Sequence, residues 1–307
     1  MTSRRTGGVT LALGAATISG LAVFVNGYGV RAARDATVYT TAKNLVAAVV
    51  LLAVVAVLPR LLASPAKGAE PRRPALLAGL AVVAVVGGSV PFVLFFEGLS
   101  RASSTHAAFV QKTLFLWVAL LAVPLLGERL RLAHAAAVAL LIGGLAALDG
   151  GLAGFRFGSG ELMVLAATLL WTVEVIVAKR LLRGVAPMTV ALTRMGAGVL
   201  LLVGWVAVTG RFDRLVHLGA TGWLWSAATG GILACYVLTW FTALARVQAV
   251  DVTAILVVGA VLTGTLNATV RGTALDLVDV AGMGLLVLGA GVVAAAARSR
   301  RPVAVPG

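Results

Sequence analysis

Residues 105–132 read THAAFVQKTLFLWVALLAVPLLGERLRL. An apolar run long enough to cross ~30 Å of hydrocarbon ends in the charged turn Gly127-Glu128-Arg129-Leu130, and a second apolar run begins almost at once. Within the first run stand His106, Gln111 and Lys112, side chains that lipid alone does not tolerate. The stretch therefore reads as two consecutive membrane spans joined by a short turn, with polar groups facing a protein interior.

The same pattern fills the chain. Of its 307 residues 60% are hydrophobic and 12% charged, about half the charge of a typical soluble protein, and the mean hydropathy is +1.04. Apolar runs fall at about 8–29, 37–58, 75–96, 104–126, 133–150, 160–179, 187–209, 219–243, 248–269 and 275–297. The expected fold class is an all-α membrane protein of ten transmembrane helices, and the short gaps leave no room for a soluble domain. Residues 1–7 form an N-terminal segment and 298–307 a basic, disordered tail. The first run is too long for a signal-peptide core and lacks a small-residue cleavage pattern, so it reads as a retained helix. Cys235 is the only cysteine, which excludes a disulfide and a thiolate metal site; no metal or cofactor is expected.

The net charge is +14, from 25 basic and 11 acidic residues. The basic residues cluster between the apolar runs, so they read as topology determinants beside anionic lipid headgroups rather than as a nucleic-acid surface. With the N-terminus in the cytoplasm, fifteen basic residues lie inside and seven outside. That split predicts two cytoplasmic termini, in keeping with an even number of spans. Scarce lysine and abundant Ala, Val and Gly point to a GC-rich bacterial genome, hence a bacterial cell membrane.

The chain also repeats itself. At an offset of 151, Ala15-Ala16-Thr17 matches Ala166-Ala167-Thr168, and Lys43 falls on Arg194. At an offset of 145, Leu99-Ser100-Arg101 falls on Leu244-Ala245-Arg246, Gly127 on Gly272, Leu130 on Leu275 and Gly144 on Gly289. The expected units are 8–150 and 160–297. A five-helix unit has an odd number of crossings, so its second copy enters from the opposite side, an inverted repeat. Such a pair has two nearly isoenergetic arrangements, each open to one face, with a substrate site between the halves.

The 5+5 layout, Gly127-Glu128-Arg129-Leu130, the Leu-x-Arg anchors after the third and eighth spans, and Lys43 with Arg194 resemble the EamA-type transporters of the drug/metabolite transporter superfamily. The resemblance spans about residues 8–297. It implies ten helices, cytoplasmic termini, and movement of small metabolites such as amino acids, coupled to protons or to exchange. The second copy reads Gly272-Thr273-Ala274-Leu275 and lacks the acid. Phe115 and Ala260 stand where the family often has a proline in the fourth and ninth spans. Pro91 and Pro124 are the alternative sources of a bend.

The candidate substrate-binding residues are the polar and aromatic side chains inside the spans. Lys43 and Arg194 either hold an anionic group in each half-cycle or snorkel and cap neighbouring helices. Glu174, the only acid read as deep in a span, either pairs with Arg194 or couples a proton. Trp171 lies one turn before it on the same face, so the two are expected to line a central cavity. Lys112 has no acid of similar depth in its own span, which favours contact with water or substrate. His106, Asn26, Tyr236 and Trp240 are further liners, each with interhelical packing as the plainer reading. Glu128 reads as a local partner of Arg129 or Arg131, or as a cap of the fifth helix. Ala135, Ala139 and Gly143 form a small-residue stripe suited to packing on the tenth helix or to a homodimer.

The leading function is a secondary active transporter of an amino acid or related organic solute. No P-loop is present to drive it with ATP. The alternatives are a passive channel or membrane sensor and, more remotely, an intramembrane lipid-modifying enzyme. For the last, His-Glu-x-x-His, paired metal-binding aspartates and Gly-x-Ser-x-Gly are all missing from the sequence.

Overall fold

The computed structural model describes residues 2–63, 73–102, 110–130, 132–148, 158–272 and 274–299, with the backbone alone at 2–5, 145 and 148. His106 and the tail beyond Ser299 lie outside the described residues. Within them all regular structure is helical. Among the described residues, eight helices are long and apolar enough to cross a membrane. Two shorter apolar helices, Val110–Leu126 and Leu132–Gly144, occupy the places of the predicted fourth and fifth spans.

In chain order the helices are α1 (Thr2–Ala33), α2 (Ala36–Val57), α3 (Arg73–Val82), α4 (Val90–Leu99), α5 (Leu114–Leu126), α6 (Leu132–Leu148) and α7 (Ser159–Leu181). Then come α8 (Pro187–Leu192), α9 (Gly198–Val208), α10 (Phe212–Val216), α11 (Gly219–Arg246), α12 (Ala249–Leu256), α13 (Gly259–Arg271) and α14 (Leu277–Arg298). The most extensive pairings join the two halves of the sequence: α1 with α11, α6 with α14, α2 with α11, α4 with α7, α1 with α13 and α5 with α7. Each half thus buries its apolar surface largely against the other.

The helix ends reflect local chemistry. Asp35 opens α2, its carboxylate accepting the Thr37 and Val38 N–H groups at 3.1 Å each, two of the donors a helix start leaves unpaired. Gly127 ends α5 and Gly272 ends α13, both left-handed at φ 66° and 69°, a conformation that glycine adopts without a Cβ penalty. These two glycines matched in the sequence repeat, and they do the same job.

Four interruptions position the interior. A π-helical turn, Val83–Gly87, separates α3 from α4, and another, Thr193–Ala197, separates α8 from α9. The two π turns pack on each other. A Cβ on Gly88 or on Gly198 would run into the opposing backbone at Arg194 or Gly88, so glycine is what allows the close approach. The predicted fourth span breaks at Thr113 and the ninth at Val257–Val258, positions that correspond at the 145 offset. Both bends thus form without a proline at Phe115 or Ala260. Pro91 opens α4 after the π turn, whereas Pro124 lies inside α5 and ends no helix.

Of the small-residue stripe expected on the fifth helix, Gly143 lies toward Leu285 of α14. The face of α6 toward α14 is Ala137, Leu141 and Gly144, which meet Gly289, Leu286 and Gly282. Ala135 and Ala139 are exposed.

Candidate functional site

The interior holds a charged cluster assembled from both halves. On α7, Glu174 faces the π turn that carries Arg194. The Arg194 Nε donates to Glu174 Oε1 at 2.6 Å and Nη2 donates to Oε2 at 3.4 Å. Both residues are buried, at 3% and 7% exposure, so the fork has little competition from water. Of the two readings for Glu174, the ion pair is the one in place. A π turn adds a residue to the helical circuit and re-aims the side chains after it; here Arg194 lies within it.

Gly87 links the two halves through an orphaned carbonyl. In a regular helix its oxygen would accept the N–H four residues on, but that residue is Pro91, which has none. The Trp171 indole N–H donates there instead, at 3.3 Å. Trp171 also packs edge-on against Phe92, ring centroids 5.6 Å apart, and beside Phe95 at 5.6 Å. A Cβ on Gly87 would collide with the Glu174 carboxylate. Trp171 and Glu174, expected on one face, therefore do converge, on the same glycine.

Phe92 carries the cluster across to Lys43. The Arg194 guanidinium lies 5.4 Å from the Phe92 ring centre and the Lys43 ammonium 5.9 Å from it. Lys43 also lies over Phe96 at 4.8 Å and Tyr39 at 5.5 Å. Asn26 Oδ1 accepts from Lys43 Nζ at 3.4 Å. The Tyr39 hydroxyl is 2.8 Å from both Asn26 Oδ1 and Thr229 Oγ1, and its one proton serves one of them at a time. Thr229 in turn donates to the Trp225 carbonyl at 2.7 Å. Tyr236 lies within electrostatic reach of Glu174 and Arg194 and stacks on Trp240 at 6.1 Å.

Seven expected residues thus meet: Asn26, Lys43, Trp171, Glu174, Arg194, Tyr236 and Trp240. Lys112 is half-buried beside the break at Thr113, and among the described residues no side chain of the cluster bonds to it. Reasoning from sequence missed Tyr39, Phe92, Phe96 and Thr229. Two cavities, of about 710 and 600 Å³, lie away from the cluster, and neither is lined by Lys43, Glu174 or Arg194. Lys43, Glu174 and Arg194 are buried, whereas Asn26, Trp171 and Tyr236 are partly exposed. The larger cavity is apolar and lies between α5, α6 and α12; the smaller runs along α4 and α9 and reaches Glu97 and Arg211.

Two polar latches join the halves at opposite ends. At one end Glu97 Oε1 accepts from Thr37 and from Arg211, each at 3.0 Å. Asp35 Oδ2 accepts from Arg214 at 3.1 Å. At the other end the Glu128 carboxylate accepts the Ala249 N–H at 2.7 Å and the Val250 N–H at 3.1 Å. Glu128 therefore caps α12 in the other half, not α6, because α12 begins with unpaired donors and no side-chain cap of its own. Burial pushes the Glu128 carboxyl above the ordinary range, against the pull of those two N–H groups and of Lys179. Beside it His134 Nε2 lies 3.0 Å from Asp251 Oδ1, both buried. Lys179 donates to the Leu244 and Val247 carbonyls at the end of α11. Asp251, in the first turn of α12, is a further buried acid that the sequence reading did not single out. Its signal, an acid in the first turn of a helix, reads equally well as a solvated end. Among the described residues no three His, Cys, Asp or Glu side chains group as a metal site.

Known proteins share this architecture. The model of the EamA-like transporter family matches the chain twice, over residues 6–148 and 158–295. No curated protein matches the sequence. Among solved structures, one titled "Crystal structure of protein" covers 98% of this chain and 100% of its own, at 21% identity and a TM-score of 0.76. At that identity the likeness is one of fold.

Proposed function

The chain belongs to the EamA-like transporter family of the drug/metabolite transporter superfamily, and from that premise we propose that it is a secondary active transporter. It moves a small metabolite, an amino acid or related organic solute, across the bacterial cytoplasmic membrane, driven by protons or by exchange. Ten crossings in two inverted units, with both termini in the cytoplasm, give it two alternating arrangements. The observation that carries this reading is the buried Glu174–Arg194 pair, held with Lys43 where the two halves meet.

The latches fit the same cycle. By the expected topology Glu97, Asp35, Arg211 and Arg214 lie at the external face, and Glu128, Asp251 and Lys179 at the cytoplasmic face. Each latch joins one half to the other, so the halves part at one face when its latch opens while the other stays shut. With both latches closed over the buried cluster, the carrier is in the occluded stage between.

Counterflow in proteoliposomes tests the proposal, using labelled amino acids and organic acids. Preloading the vesicles with unlabelled solute is expected to accelerate uptake of the same labelled solute. A carrier returns loaded faster than empty, whereas a channel gains nothing from solute on the far side. Uptake without acceleration for any solute that enters would overturn it.

A further inference from the structure

Building on the carrier reading, we propose that the central cluster selects an organic monoanion, a carboxylate on an apolar or aromatic body, and that Lys43 sets this preference. The cluster holds two cations, Lys43 and Arg194, and one carboxylate, Glu174. Arg194 spends two of its donors on Glu174. Lys43 is 3% exposed, and among the described residues no carboxylate lies within ion-pair distance of it. Its one acceptor is Asn26 Oδ1 at 3.4 Å, so most of its ammonium donors lack an oxygen. The Tyr39, Phe92 and Phe96 rings attract its charge, but a ring face supplies no lone pair. An unpaired buried cation is costly, and one monovalent anion removes that cost.

The repeat shows where the missing partner would stand. The offset that places Lys43 on Arg194 places Val23 on Glu174. One half carries both members of the ion pair and the other carries the cation alone. The surplus is a single charge on one ammonium, which suits a carboxylate better than a phosphate dianion. The body of the solute would meet the Phe92, Phe96 and Tyr39 rings around Lys43 and, across the cluster, those of Trp171 and Tyr236. A cationic amine would meet Lys43 and Arg194 together, with its only acid already engaged.

The test uses matched sets of solutes on one body: 3-phenylpropionate, its amide and 3-phenylpropylamine, with the corresponding isobutyl and indolyl sets. Thermal stabilisation of purified protein and counterflow in proteoliposomes are read for each. Within at least one set the acid is expected to stabilise the protein and show counterflow, at least roughly tenfold better than its amide or amine, the scale of one charge-assisted hydrogen bond. Lys43→Gln is expected to lose that advantage and Lys43→Arg to retain it. An amide or amine that shows counterflow as well as its acid overturns the monoanion inference and leaves the carrier reading standing. Acids that stabilise the protein but never show counterflow support the binding site and count against the carrier. No stabilisation by any acid, or a folded Lys43→Gln that binds acids as the wild type does, overturns the inference.

Discussion

Arg194 and Glu174 are each other's only charged hydrogen-bonding partner among the described residues, and that makes their substitutions asymmetric. Removing one member leaves the other as a bare charge in a dry interior, a loss of about 3–5 kcal/mol. Removing both leaves no orphan. Glu174→Gln and Arg194→Met are therefore each expected to lower the unfolding temperature in detergent, while the double substitution Glu174→Met with Arg194→Met recovers much of the loss and still does not transport. A double variant no more stable than the worse single one would show that the pair is not what makes either substitution costly. If Glu174 carries the proton, Glu174→Gln also flattens the pH profile of transport; an unchanged profile assigns coupling elsewhere. These residues stood out in the sequence because a charge inside an apolar run has few cheap fates. Tyr39, Phe92, Phe96 and Thr229 did not, because aromatic rings and hydroxyls sit comfortably in many places along a membrane helix. Their role depends on which helices meet, and one-dimensional pattern does not carry that.

At the scale of the helical element, the junction between α3 and α4 shows how a proline acts through what it fails to donate. Pro91 leaves the Gly87 carbonyl free, and Trp171 occupies it from the other half. Trp171→Phe keeps an aromatic ring but removes the indole donor, which is expected to cost about 1–3 kcal/mol by leaving that carbonyl unpaired. Pro91→Ala supplies an N–H in the first turn of α4, four residues after Gly87. In the Pro91→Ala background the same Trp171→Phe change is expected to cost much less, a coupling measurable as a double-mutant cycle on thermal stability. Equal losses in both backgrounds would disconnect the two residues. The π turns themselves were not readable in advance: an extra residue in a helical turn leaves no compositional mark. The breaks at Thr113 and Val257–Val258 were misjudged for a related reason. The missing prolines at Phe115 and Ala260 drew attention, whereas Thr113 can turn the chain through its own hydroxyl, which donates to the Val110 carbonyl at 2.6 Å and accepts from the Trp117 indole at 3.1 Å.

Across the whole molecule, the two latches differ in how they are built, and the difference predicts a bias. The Arg211–Glu97 and Arg214–Asp35 pairs are partly exposed, with side-chain exposures of 33% and 23%, then 69% and 11%. Exposed pairs of this kind contribute little and are screened by salt. Glu128 is buried at 6% exposure and takes two backbone N–H groups at the start of α12, an interaction that water does not readily replace. The face bearing the arginine pairs should therefore open more easily than the face bearing Glu128. Cysteine reporters can read this in a Cys235→Ala background, since Cys235 is exposed. Ser89→Cys lies in the cavity that reaches Glu97 and Arg211, and Thr253→Cys lies one turn beyond the helix start that Glu128 caps. With both latches intact, Ser89→Cys should react faster with a membrane-impermeant thiol reagent, and higher salt should widen the gap. Adding Glu128→Ala should raise labelling at Thr253→Cys several-fold and lower it at Ser89→Cys. Arg211→Ala should do the reverse, with a smaller change because a weak latch has less to lose. The reciprocity is the decisive feature. Two rigid halves that rock about a shared core trade exposure at one face for exposure at the other, so a substitution that raises labelling at both positions together would mean that the halves loosen rather than alternate.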